Sequence, residues 1–144
     1  MNRPIIFRGW LERTKEFIEE IELGDGDDGY ICHDKNGEHV YVGDLIWQQF
    51  TGLYDKNGHG IYESDILNWE SNSMSHRLGE CKRNRIVEVM WDKKSAAFVA
   101  VKKLSNNILS PVTVWRMDAN DFNGKPFIKE VIGNVFENKE LLQA

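Results

Sequence analysis

The chain has 144 residues, 41% of them hydrophobic and 28% charged, two cysteines and a net charge of −5. That is the size of one ordinary domain, with enough apolar matter for a core without disulfides. The acidic balance excludes a generic nucleic-acid binder, and no apolar run approaches the ~20 residues of a membrane span.

Met1 to Arg8 contains no long apolar segment of the signal-peptide kind. Ile5-Ile6-Phe7 reads as a short strand closed by Gly9. The segment from Trp10 to Leu23 reads two ways. Phe17, Ile18 and Ile21 among glutamates suit a helix, whereas Phe17, Ile21 and Leu23 alternating with glutamates suit a strand. Residues 24–29 are an acidic loop of Gly and Asp. Tyr30-Ile31-Cys32-His33 and Val40-Tyr41-Val42 then flank Asp34-Lys35-Asn36-Gly37, the pattern of a hairpin.

Gly43 to Phe50 leads into a better-marked hairpin, from Thr51-Gly52-Leu53-Tyr54 through Asp55-Lys56-Asn57-Gly58 to Ile61-Tyr62-Glu63-Ser64-Asp65-Ile66. The two hairpins match at an offset of 21, at Asp34/Asp55, Lys35/Lys56, Asn36/Asn57, Gly37/Gly58, Tyr41/Tyr62 and Asp44/Asp65. Turn chemistry alone explains four of these, so a duplicated strand-turn-strand unit and two independent turns both remain open. Ser71 to Arg85 is the longest polar stretch and is expected to be a mobile loop. Ile86–Trp91 and Ala96–Val101 around Asp92-Lys93-Lys94-Ser95 read as a further hairpin.

Ile108 to Met117 is expected as a strand with Pro111 at an edge or bulge. Phe127 to Phe136 is expected as a last long strand bent at Gly133-Asn134, with Val131, Ile132, Val135 and Phe136 in the core. Residues 137–142 read as a helical turn with Asn138 as its N-cap.

The run TGLYDKNGHGIYESDI, together with VIGNVFENKELL near the C-terminus, resembles the YopX family of phage and prophage proteins, over a span from Phe7-Arg8-Gly9 to Leu142. The resemblance implies a prophage origin, a mainly β fold and a place in the cytoplasm of a bacterial host, and it assigns no activity. It leans residues 10–23 toward strand. It also implies a glycine where Ser64 stands between Glu63 and Asp65, which puts a glycine-only conformation there in question. The expected fold is mainly β: a small SH3-like or partly open barrel, with an additional N-terminal β-rich or α+β portion and a short C-terminal helical turn. The chain reads as one domain over 1–144, divisible into 1–50 and 51–144. The SH3-like likeness concerns fold and carries no function.

The residues offer little catalytic chemistry. There is no Gly-x-Ser-x-Gly, His-Glu-x-x-His or phosphate-loop pattern. Cys32, His33 and His39 are the right residue types for a metal, but Cys-x-x-Cys spacing is absent and no metal or cofactor is expected. Asp25 to Gly29 fails the calcium-loop register, and Asp121-x-Asn123-Gly124 with Glu130 lacks the first carboxylate. Glu63 and Asp65, two apart on a strand, would face one side and are where acid–base chemistry would start. Turn-fixing by those carboxylates is the stronger reading.

Thr51, Gly52, Leu53, Asp55, Asn57, Gly58, Glu63 and Asp65 therefore form a candidate motif, functional or structural. Arg77, Lys82, Arg83 and Arg85 form a second candidate, a basic segment for binding single-stranded nucleic acid. Trp69, Trp91 and Trp115 lie in apolar strand contexts and are expected in the core rather than available for stacking. Residues 12–28 hold eight acids against two bases, and 77–103 hold eight bases against three acids. Two solvated faces explain this, as does an acidic face meeting a basic one within or between subunits.

The leading expectation is a non-enzymatic module that binds a phage or host protein or assembles as a homo-oligomer, away from membranes. An enzyme or nuclease-like regulator, or a nucleic-acid binder, is the alternative. Gly58 is expected at positive φ. Gly58→Val should lower the unfolding free energy in urea by about 1 kcal/mol or more, because a β-branched residue is strained there.

Overall fold

The structure, a computed structural model, describes residues 6–19, 30–75, 79–102, 113–121 and 123–143. The described elements are strands β1 (Phe7–Leu11), β2 (Glu16–Ile18), β3 (Tyr30–His33), β4 (His39–Tyr41), β5 (Leu45–Tyr54), β6 (Gly60–Tyr62), β7 (Asp65–Ser75), β8 (Gly79–Asp92), β9 (Ala97–Lys102), β10 (Thr113–Arg116) and β11 (Ile128–Asn134), with 3-10 turns at Val42–Asp44 and Lys139–Gln143. The fold is mainly β. Two compact units divide the chain, Met1–Phe50 and Thr51–Ala144, and β5 runs across the boundary.

In the first unit β1 pairs antiparallel with β2 and with the start of β5. Residues 12–15 turn the chain between β1 and β2, with Lys15 at φ 54°. That turn rules out the helix reading for the described part of 10–23. Gly9, expected to close the strand, lies inside β1, which continues to Leu11, and a Cβ at that position would come within 2.8 Å of Leu45 Cδ1. Leu11, Val40 and Leu45 make a small core flanked by Ile18 and Trp47.

In the second unit five antiparallel strands follow the order β10-β9-β8-β7-β11. β10 and β11 are the two ends of this sheet and are not paired with each other, so among the described residues it is open rather than a closed barrel. Leu67 and Trp69 of β7 and Val87 and Val89 of β8 share one face by strand alternation, and with Ile61, Phe98, Ala100, Met117 and Phe127 they form the main core. Trp69 is fully buried and stacks on Phe127 at a centroid distance of 4.8 Å.

Four sequence expectations change. Ser71–Ser75 and Gly79–Arg85 are strand, not loop, because the β7–β8 ladder continues out to Ser75↔Gly79 and backbone pairing overrides side-chain polarity. Residues 76–78 lie outside the described part. Trp91 is 43% exposed, since it sits near the end of β8, where Phe98 meets it edge-on at 4.9 Å. Trp115 is half-buried. Val131, Ile132, Val135 and Phe136 are only half-buried. The centre of that block is polar: buried Asn134 accepts the N–H groups of Phe136 and Glu137 at 3.0 and 2.9 Å.

The helical turn is present as 3-10, directly after Asn138. The Asn138 side chain, however, accepts the Asn134 N–H at 3.2 Å instead of capping the turn. The strand expected from Ile108 is described only from Thr113, and Pro111 lies outside the described residues.

Ser64 shows the backbone constraint most directly. It has φ 70°, and its N–H and C=O are held by Val89 and Val135, both at 2.9 Å. The left-handed conformation implied by a family glycine is therefore imposed here on a serine. Ser64→Gly should raise stability by about 0.5–1 kcal/mol, the relief of strain exceeding the added unfolded-state entropy. Thermal unfolding checks it; an unchanged or lower melting temperature contradicts it.

Candidate binding cleft

The geometry of the second unit starts from a turn that occurs three times among the described residues. In Asp34–Glu38, Asp55–His59 and Asp121–Lys125 the first residue donates its N–H to the carbonyl of the fifth, at 2.8, 2.8 and 2.7 Å. The glycine N–H returns to the Asp carbonyl at 3.0 Å in each. One Asp carboxylate oxygen accepts the third and fifth N–H groups, at 2.8 and 3.0 Å for Asp34, 2.9 Å twice for Asp55, and 2.9 and 3.1 Å for Asp121. Gly37, Gly58 and Gly124 have φ of 81°, 83° and 75°, the left-handed position that closes a three-residue hairpin loop. From sequence the third turn reads as a loop, Asp118 to Lys125, whose Asp121-x-Asn123-Gly124 fails the calcium register. Its Asp-x-Asn-Gly signature, shared with the other two, was the signal that would have found it.

Asp55 does more than fix its own turn. Its side chain is fully buried, and its second oxygen accepts the N–H of Val131, 76 residues away, at 2.9 Å. The Lys56 N–H donates to the Lys129 carbonyl at 2.8 Å. Burial pushes the Asp55 carboxyl pKa up, but the N–H groups of Val131, His59 and Asn57 outweigh it and hold the group below its ordinary value. The turn is thereby fastened along β11.

The other residues of the motif are fixed by the same hairpin. Thr51 is buried; its hydroxyl donates to the Ile61 carbonyl at 2.7 Å and accepts the Leu53 N–H at 3.1 Å. Gly52 has φ 86°, and Leu53 packs on the main core. Asn57 is exposed in the turn. Glu63 does not lie on a strand with Asp65: it is in the turn before β7, with Ser64 at positive φ between the two. Asp65 is buried and accepts the Tyr62 N–H at 2.9 Å, a turn-fixing role.

The basic segment does not form one surface. Arg77 lies outside the described residues. Alternation along β8 separates Lys82 from Arg83 and Arg85. Arg85 donates to Ser71 Oγ at 2.9 Å and lies 5.1 Å from the Trp115 ring. Burial, then the charge of Arg83, lowers its pKa.

What the fold does bring together is a cleft of about 630 Å³ that the sequence did not announce. Its apolar floor is Tyr54, Pro126, Phe127 and Ile128, in which Tyr54 is 63% and Ile128 47% exposed. Lys56, Lys82, Lys125 and Lys129 stand around it. Lys56 pairs with Glu130 at 2.7 Å, which raises its pKa. Lys82 lies 3.6 Å from Glu70. Burial lowers the pKa of Lys129, whose Nζ donates to the Phe127 carbonyl at 3.1 Å and lies 5.3 Å from the Trp69 ring. These lysines converge because three distant segments meet: the Asp55 turn, the arm of β7 and β8, and the Asp121 turn leading into β11. Asp55, Glu70 and Asp121 line the cleft as well, so chemically the site offers an apolar surface bordered by four lysines and three carboxylate residues.

No group of three or more His, Cys, Asp or Glu side chains among the described residues is arranged to hold a metal. The His33 and His39 rings lie edge to face at 5.0 Å, and the Cys32 side chain lies outside the described part. No described helix is long and apolar enough to cross a membrane.

The family model described as YopX protein matches residues 6–143. The chain belongs to the YopX family. No curated protein matches it. Among solved structures, protein EF1440 from Enterococcus faecalis is similar at 22% identity and a TM-score of 0.56, covering 98% of this chain and 99% of that one. At that identity the likeness shows the fold alone.

Asp55→Asn keeps the shape but sets an amide donor or a weaker acceptor against the N–H groups of Val131, Asn57 and His59. It should cost about 2–3 kcal/mol in urea unfolding at pH 7. Because the folded-state pKa of Asp55 is depressed, its contribution is complete above the ordinary Asp value of about 3.9 and disappears as pH falls through the lower, folded value. The stability gap between wild type and Asp55→Asn should therefore stay constant from about pH 7 to 5 and narrow below about pH 4.

Proposed function

We propose that this is a phage- or prophage-derived, non-enzymatic module of the bacterial cytoplasm that binds another macromolecule, a phage or host protein, through the cleft of its second unit. The observation that carries the reading is the cleft floor. Tyr54 and Ile128 leave large apolar surface in water within a concave, lysine-bordered site, which a partner would cover. The YopX family match over residues 6–143 supports the phage origin. The commitment of the Asp65 carboxylate to the Tyr62 N–H argues against a reaction centred on Glu63 and Asp65.

Assembly into a homo-oligomer is a second reading, favoured by exposed Phe7 and Ile46 in the first unit. The membrane has no part in either reading. Ile128→Asp should leave the melting temperature within a few degrees and abolish capture of a partner from prophage-induced host cells. Phe7→Ala/Ile46→Ala should instead lower the sedimenting mass if self-assembly is the activity. A partner retained equally by wild type and Ile128→Asp would remove the cleft from the mechanism.

A further inference from the structure

β7 outruns its neighbour. Ile128, the first residue of β11, pairs with Glu70, whereas β7 continues for five more residues to Ser75. Among the described residues Ser71–Ser75 pair with β8 alone. Among the described residues nothing pairs with the other side of this stretch, and the cleft lies at its base, with Glu70, Ser71, Pro126, Phe127 and Ile128 in its lining.

The ladder tells which groups are bare. The Lys129 carbonyl and the Val131 N–H are taken by Lys56 and Asp55, so both residues turn their main-chain groups away from β7. Antiparallel strands alternate, so Ile128 and Glu130 turn theirs toward Glu70 and Asn68. Continuing along β7, Asn72 and Met74 direct their N–H and C=O groups to the side that β11 no longer covers, while Ser71, Ser73 and Ser75 bond to β8.

Exposed edges are ordinarily guarded by charged residues, proline or a bulge. Ser71-Asn72-Ser73-Met74-Ser75 contains no charged residue and no proline, and the β7–β8 register is unshifted along it.

Resting on the cleft reading above, we propose that this edge accepts an extended acidic peptide as an added antiparallel strand. The guest continues the line of β11, exchanges hydrogen bonds with Asn72 and Met74, sets apolar side chains on Tyr54 and Ile128, and brings carboxylates to the lysines. Charge selects this occupant. Lys56 and Lys82 are already paired with Glu130 and Glu70, so the guest's carboxylates meet Lys125 and Lys129. An acidic segment meets those ammonium groups favourably, and main-chain pairing supplies affinity without demanding one sequence.

The test uses the full chain and a fluorescent decapeptide of alternating valine and glutamate. The expected result is binding that slows amide hydrogen exchange at Asn72 and Met74, while Ser71 and Ser73, already paired to β8, change little. N-methylation of the peptide on the edge-facing residues should weaken binding about tenfold or more. So should Asn72→Pro, which removes an outward N–H and leaves the melting temperature nearly unchanged. A valine-lysine decapeptide should bind at least about tenfold more weakly.

Absence of binding up to about 1 mM overturns the proposal. So does binding without protection of those two amides, equal binding of the N-methylated peptide, or preferential binding of a thymidine 20-mer. If any of these holds while Ile128→Asp still abolishes partner capture, strand addition fails and the cleft reading stands. If Ile128→Asp has no effect on capture, the cleft reading itself fails.

Discussion

The Asp55 carboxylate is the point on which the second unit depends. One oxygen shapes its own turn through Asn57 and His59, and the other takes the Val131 N–H. With the Lys56 to Lys129 backbone bond, these contacts fasten a hairpin tip along an edge strand that would otherwise be bare. They also set two of the cleft's lysines, Lys56 and Lys129, opposite one another. A buried carboxylate that accepts three N–H groups is stable as an anion because its desolvation is matched by fixed dipoles. Leaving those N–H groups unpaired would cost more than a lost surface contact, since each would be partly shielded from water.

The same chemistry bears on the internal repeat. Asp34 and Asp55 form matching turns, and the match continues past them. The Tyr41 N–H donates to Asp44 Oδ2 at 3.1 Å, and the Tyr62 N–H donates to Asp65 Oδ2 at 2.9 Å. Val40 and Ile61 are both fully buried, and buried Leu45 and Ile66 follow as the first residue of β5 and the second of β7. Turn propensity accounts for Asp-x-Asn-Gly, and the turn at Asp121 shows that motif standing alone, followed by Pro126 rather than a Tyr-x-x-Asp step. It does not account for a second shared hydrogen bond and a shared apolar alternation at the same spacing. Those favour a duplicated strand-turn-strand-turn-strand unit, in which β5 ends the first copy and begins the second. The copies diverge in what the turn aspartate grips next: Asp34 takes Arg13 at 3.2 Å, Asp55 takes a main-chain N–H.

Turn chemistry and strand alternation made much of the fold legible. The hairpins at Asp34, Asp55 and Asp92, the β8–β9 pair and the core positions of Trp69, Val87 and Val89 follow from local patterns of Asp, Asn, Gly and β-branched residues. What failed had a common cause. Ser71–Arg85 looked like a loop because its side chains are polar, yet the strand there is set by register with its neighbour. Trp91 and Phe136 looked like core because they are apolar, yet each sits where the sheet or chain turns away. The cleft was invisible for a similar reason: Tyr54, Lys82, Lys125 and Ile128 share no spacing, and only the meeting of two Asp turns with the end of β11 makes them neighbours. The basic segment misled in the opposite direction, since pleating sends Lys82 and Arg83 to different faces.

One strand pair shows how differently two edges of a sheet can be treated. Along β11 the outward Val131 N–H and Lys129 C=O are taken by the Asp55 turn, which covers that part of the edge. Along β7, from two residues beyond Glu70, nothing among the described residues does the same for Asn72 and Met74. The difference is not one of composition, since both stretches carry polar residues. It follows from where β11 begins, and Pro126, bridged to Asn120 just before that start, has no N–H with which to extend the ladder. The proline and the Asp121 turn thus stop β11 short of β7's end, and the step they leave between two adjacent strands forms one wall of the cleft.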